Sequence, residues 1–133
     1  MRHAPILAAL TAAFAALSAC AGTDSVAQDA AGPEYLGIQT VLLQDDLVSF
    51  RVALTGARGN EDVEAYGRCA AAQYALIRGY GFARHVRTTV AKTQDTWRGD
   101  AVYLISAALP PGLRTIDAEV TVRDCGALGI PTI

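Results

Sequence analysis

Val48-Ser49-Phe50-Arg51-Val52-Ala53-Leu54-Thr55 decides the fold. Val48, Phe50, Val52 and Leu54 alternate with Ser49, Arg51 and Thr55, the period-two pattern of a strand with one buried and one wet face. Such a strand needs a neighbour beside it and an apolar layer over its buried face, and the sequence offers both within a few residues. Upstream, residues 36–42 form a second strand with Leu36, Ile38 and Leu42 on one face, and Gln44-Asp45-Asp46 is the turn that folds the two into a hairpin. Downstream, Gly56-Ala57-Arg58-Gly59-Asn60 breaks the strand. Val63, Tyr66, Ala70, Tyr74 and Ile77 then recur at three- and four-residue steps, which predicts an amphipathic helix over about residues 61–78. Asn60 is expected to cap its start, Glu61, Asp62 and Glu64 to suit its positive end, and Gly79 to end it in the left-handed conformation. The small residues from Cys69 to Ala72 permit close approach to a sheet.

Three further strands are expected. Residues 82–93 give one, with Val86 and Val90 on one face and His85 and Arg87 on the other. Asp95 to Asp100 is read as a loop carrying Trp97. Residues 101–109 are apolar on both sides, as in a central strand, and Pro110-Pro111-Gly112 is a firm turn. Ile116, Ala118, Val120 and Val122 alternate with Asp117, Glu119, Thr121 and Arg123, which reads as a last strand. The expected fold is therefore α+β: a single antiparallel or mixed five-stranded sheet in the order β-β-α-β-β-β, a hairpin followed by a meander, with one helix packed on one face. The other face is expected to be mostly polar, or to dock onto something.

The N-terminus carries a different message. Met1-Arg2-His3 precedes an apolar run from Ala4 to Leu17, and small residues then lead to a cysteine. The run is too short to span a bilayer, which takes roughly 20 residues, and it has the layout of a signal peptide. Leu17-Ser18-Ala19-Cys20 resembles the bacterial lipobox at all four positions. The resemblance implies cleavage before Cys20, a diacylglycerol thioether on its sulfur and a further acyl chain on its amine. Several chains together anchor a protein durably. Ala21 in place of an aspartate points to the outer membrane under the better-known sorting rule. The alternative is an ordinary signal, cleaved so as to release a soluble chain. On the lipobox reading residues 1–19 are the signal, 20–34 the lipidated cysteine with a small, polar tether, and 35–133 one domain. Such a tether spans about 20 Å on average. The stretch from Cys69-Ala70-Ala71-Ala72 to Arg78-Gly79-Tyr80-Gly81 is faintly similar to small uncharacterised proteobacterial lipoproteins, a likeness that brings no known activity.

Composition limits the roles. The chain has 133 residues, 11 basic and 13 acidic, for a net charge of −2. A nucleic-acid partner needs a concentrated basic footprint, which is missing. Once Cys20 carries lipid, Cys69 and Cys125 remain as an even pair in an oxidising compartment, so a disulfide is expected. Two free thiols are the other possibility. A bridge would close a loop spanning 56 residues, worth about 4 kcal/mol in the chain-entropy picture, and would pin the helix to the sheet edge.

Few residues suggest chemistry. Asp117 and Glu119 would share a strand face, which is weighed as an acidic site against a solvated strand face. His85, Arg87 and Arg98, with Arg84 and Lys92 close in sequence, could bind the phosphates or carboxylates of a glycan or lipid headgroup, since the guanidinium fork fits them. The same charges could simply guard an exposed edge. Trp97 either marks a contact site or folds back on the core. Tyr66, Tyr74 and Tyr80 read as core residues with their hydroxyls at the rim. No nucleophile elbow, phosphate loop, zinc spacing or cofactor motif is present. The expected role is a membrane-anchored, non-enzymatic interaction or structural domain of the bacterial envelope, facing the periplasm and contacting another envelope protein. The alternative is a small binding module for an anionic glycan or lipid headgroup.

Overall fold

The computed structural model describes residues 31–133, so the expected signal, Cys20 and most of the expected tether lie outside the described residues. Strands β1 (Glu34–Gln44) and β2 (Leu47–Thr55) form the expected hairpin across the two-residue turn Asp45-Asp46, where Asp45 takes φ 48°. Helix α1 (Asn60–Ile77) follows, then the hairpin β3 (Phe82–Thr93) and β4 (Thr96–Ser106), the short strand β5 (Thr115–Asp117) and a second helix α2 (Ala118–Leu128). The fold is α+β, with one five-stranded sheet in the order β1-β2-β4-β3-β5 and every pairing antiparallel.

β2 holds the pattern read from it. Val48, Phe50, Val52 and Leu54 are all buried on the helix side. β4 runs beside it with Gly99, Ala101, Tyr103 and Ile105 directed to the same layer, in register with that set. Helix and sheet meet very closely here. A Cβ on Gly67 of α1 would stand 2.6 Å from the Ala101 methyl, and one on Gly99 would stand 2.5 Å from Val63 Cγ1. Only small residues at these crossings let Ala70, Ala71, Ala72 and Ala75 reach the sheet, where all are fully buried. Phe50 fills the centre of this layer, edge-on to Tyr74 and Tyr103 at centroid distances of 5.5 and 6.3 Å.

The ends of α1 differ from expectation at one side only. Gly79 does terminate it with φ 78°, and Tyr80 N–H donates to Ala75 O while Gly79 N–H donates to Leu76 O, the paired bonds of a Schellman ending. At the start, Asn60 is the first helical residue and Gly59 holds the cap position without a side-chain bond. The carboxylate of Asp62 turns back instead, accepting from the backbone N–H and the guanidinium of Arg58. That arrangement satisfies a backbone donor just ahead of the helix and holds the Asp62 carboxyl below its ordinary value.

The last quarter departs furthest from the sequence reading. The strand expected through Val122 stops at Asp117, and α2 replaces it. Asp117 accepts from Val120 N–H at 3.0 Å and so caps α2, and Gly129 closes it with φ 69°. Ala118, Val122 and Cys125, spaced four and three apart, form the inward stripe of α2, whereas Val120 is exposed. Asp117 and Glu119 are thus a helix cap and a first-turn acid, not neighbours on a strand face. β5 pairs with β3 rather than β4, so the final strands are not a meander. Among the described residues there are two helices, not one: α1 lies over the inner face and α2 packs against α1 and β5.

Cys69 and Cys125 meet between those helices, with sulfurs at bonding distance and Cα atoms 6.0 Å apart. Cys69 is fully buried and Cys125 nearly so. The pair ties α1 to α2, not the helix to the sheet edge. The edge expectation placed Cys125 beyond a fifth long strand that does not form.

Candidate functional site

β3 is irregular at one point, and the irregularity organises the site. His85 pairs with Tyr103 and Arg87 with Val102, which leaves Val86 as an extra residue in a bulge. A regular strand would put His85 and Arg87 on one face, as the sequence suggests. The bulge separates them: His85 joins Thr88 and Val90 on the helix side, and Arg87 goes to the uncovered side. His85 Nε2 lies 2.8 Å from Thr88 Oγ1, a contact that the bulge makes possible by bringing both to the same face. Arg87 instead reaches Asp100 at 3.4 Å and Thr89 Oγ1 at 3.3 Å.

β5 covers β3 only from Phe82 to Arg84. Where that cover ends, the chain leaves a hollow of about 570 Å³ bounded by α1, the bulge and the segment leading into β5. His85 and Tyr103 line it from the sheet, Glu64 and Arg68 from α1, and Leu113 and Arg114 from the connecting segment, with Arg87 at its margin. The connecting segment is held in place because His85 N–H donates to Arg114 O at 2.9 Å. The His85 and Tyr103 rings stand 5.1 Å apart, so the histidine rests on the buried tyrosine.

The charges in this hollow do not balance. Among the described residues the ion pairs are Arg58–Asp62, Arg87–Asp100 and Arg123–Asp124. Arg68 and Arg114 belong to none of them, and Glu64 is the single carboxylate in the lining. The electrostatics leave a mark on His85. Burial first, then the neighbouring Arg114, pushes its pKa below the ordinary 6.5, while Glu64 pulls weakly the other way. The imidazole is therefore neutral at pH 7, with room to gain charge if an anion arrives. Burial likewise raises the Tyr103 hydroxyl to about 12, so it stays protonated.

Folding prefers the neutral form of His85. Since the folded pKa lies below the unfolded one, stability rises with pH through the window under 6.5 and falls as acid charges the unfolded chain first.

The four expected ligand contacts do not converge. His85 and Arg87 reach the same hollow from opposite faces of β3. Arg98 lies on the uncovered face of the sheet. Trp97 is not in a loop: the turn is the two residues Gln94-Asp95, and Trp97 is a β4 residue packed beside Val52, Leu54, Val63 and Tyr66. Lys92 Nζ sits 5.0 Å from its ring centre, a cation–π contact across the hairpin. The tyrosines divide as expected of core residues with rim hydroxyls: Tyr66 is buried, Tyr80 O–H donates to Asp46 and the Tyr74 hydroxyl accepts from Arg78. Arg68 and Arg114 were not visible as candidates in the sequence, being distant from His85 along the chain. Among the described residues no group of three or more His, Cys, Asp or Glu side chains is placed to hold a metal, and no helix is long and apolar enough to cross a membrane.

Residues 35–129, nearly the whole of this domain, match the family described as the YNQ4 C-terminal domain. The chain belongs to that family. The chain is also similar to a protein of Paracoccus denitrificans described as an uncharacterized 26.9 kDa protein in the nqo8 5′ region. It is 33% identical over 87 residues, which are 65% of this chain and 34% of the relative. The chain therefore spans about a third of that longer protein's length. No solved structure matches the chain.

Proposed function

We propose that this YNQ4-type domain is a binding module for an anionic group, the phosphate or carboxylate of a glycan or lipid headgroup, and that a lipid on Cys20 holds it at the bacterial envelope, at the outer membrane and facing the periplasm. The observation that carries the binding role is the hollow between α1 and β3, in which Arg68, Arg114 and His85 converge with one carboxylate and, among the described residues, no ion pair. Arginine forks take phosphate and carboxylate two bonds at a time, and such charged bonds are worth about 1.5–3 kcal/mol each. A hollow of this size holds one headgroup or one acidic sugar, not a polymer's length. The Thr88 hydroxyl lies 2.8 Å from His85 Nε2 at the floor of the hollow and adds a polar group beside the arginines. Contact with another envelope protein, the other role expected from the sequence, would draw on the uncovered sheet face, where Arg51, Arg98 and Asp100 share the surface with Leu47, Val102 and Leu104.

Calorimetric titration of the full chain with inorganic phosphate, and then with a uronic-acid oligosaccharide, tests the binding role. Heat of binding that weakens with added salt is expected, and Arg68→Gln with Arg114→Gln should cut affinity at least tenfold. No heat with either anion, or an unchanged constant in the double variant, contradicts it. The anchor is tested separately. Cys20→Ser should lose the acyl mass and move the protein out of the membrane fraction, and unchanged mass and fractionation would remove the lipid from the proposal.

A further inference from the structure

We infer that the uncovered face of the sheet carries a second, separate ligand site, a shallow trough that takes a small carboxylate with an apolar body. The trough has a volume of about 520 Å³ and crosses four strands. The register defines its floor. One row runs Gly37, Ala53, Arg98, Ala91 from β1 to β3, and the next runs Gln39, Arg51, Asp100, Thr89. Arg51 stands opposite Asp100 and Arg98 opposite Ala53, so the two arginines are diagonal neighbours, about 7–8 Å apart.

Their natural counter-charge is already taken. Asp100, which also lines the trough, accepts from the Ser49 hydroxyl and pairs with Arg87, and among the described residues neither Arg51 nor Arg98 forms an ion pair. Two exposed guanidiniums therefore face solvent side by side, an arrangement that a shared carboxylate relieves. Beside them the floor offers no polar side chain at Gly37 and Ala53, and Leu36, half exposed at the β1 bulge, forms an apolar rim. A carboxylate between the arginines would thus lay its apolar body over Gly37 and Ala53 towards Leu36. A bare phosphate would use the charges and leave the apolar floor empty. A second copy of the chain would bring two further arginines against the first two, which like-charge repulsion disfavours. This site lies on the opposite side of the sheet from His85 and does not depend on the binding role proposed for the hollow there.

The test is a backbone-amide NMR titration of the full chain with 3-phenylpropionate, and with its neutral amide as the control. The carboxylate should move the resonances of Gly37, Ala53, Arg98 and Ala91. Arg51→Gln with Arg98→Gln, both at exposed positions, should weaken binding at least tenfold, whereas Arg68→Gln with Arg114→Gln should leave it unchanged. Three outcomes overturn the inference: equal shifts with the neutral amide, shifts confined to the hollow beside His85, or the same resonances broadening with protein concentration alone, which assigns the face to self-association.

Discussion

Replacing Cys69 and Cys125 together by alanine should lower the stability of the domain by about 2–5 kcal/mol. For a domain of this size that is a fall of roughly 10–30 °C in the unfolding midpoint. The reason is topological. The bridge joins α1, laid across the centre of the sheet, to α2, which touches the rest of the fold mainly through α1 and the short β5. Without it the C-terminal helix keeps only a narrow stripe of Ala118, Val122 and position 125. Both sulfurs are buried, so alkylation is carried out in denaturant without reductant, where a bridged pair should still add no label at either cysteine. Thermal unfolding followed by circular dichroism reads the first expectation and peptide mass spectrometry the second. A midpoint within a few degrees of the parent, or label on Cys69 or Cys125, would contradict the bridge and its role.

Phe50→Ala should cost about 3–5 kcal/mol, the range for deleting a fully buried aromatic ring. Phe50 touches both halves of the inner layer, edge-on to Tyr74 from α1 and to Tyr103 from β4. Its loss opens a cavity that the surrounding alanines, already in contact with the sheet, cannot close. Phe50→Leu, which keeps most of the volume, should lose much less. Tyr103 also carries the His85 ring, so Phe50→Ala should loosen the hollow as well as the core. Chemical denaturation gives the free energies. Equal midpoints for the alanine and leucine variants would mean that Phe50 is not the centre of the layer.

β2 and α1 were legible because one face of each is apolar at a single, sustained period, and the helix stop at Gly79 is local chemistry; β1 was legible as a strand but not in its faces, because Leu36 falls in the bulge between Tyr35 and Gly37 and lines the uncovered side, away from Ile38, and Leu42 is exposed. The last quarter was not. Val120, Thr121 and Val122 are strand formers, and over so few residues their alternation with Asp117, Glu119 and Arg123 imitates a period of two. The deciding signals were weaker ones: Asp117 as a cap, Ala118, Val122 and Cys125 at helical spacing, and Gly129 as a stop. β4 begins at Thr96, ahead of the apolar run that marks it in the sequence, for a related reason. Gly99 reads as a loop residue, but it is a strand glycine kept small by Val63 above it.

The site was half legible. Its histidine and one arginine stood out as polar groups clustered in a short stretch. Their separation onto two faces depends on the bulge at Val86, which no local pattern announces. Arg68 and Arg114 come to the hollow only through the packing of α1 over β3 and the return of the chain into β5. Arg68 follows Gly67 and precedes Cys69, the close-packed side of the helix, and its charge on the margin of that stripe was the one available hint.

The binding role rests on an anion sharing the hollow with His85, and the imidazole itself reports on that. The chain has two histidines, so the His85 ring signals can be assigned with a single His85→Asn variant. Their titration should be followed by NMR in the full chain, without and with inorganic phosphate at saturating concentration. The expected result is a pKa below 6.5 in the free protein that moves upward when phosphate is bound, with phosphate binding correspondingly tighter at pH 5.5 than at pH 7.5. An identical His85 titration curve with and without the anion would contradict the account.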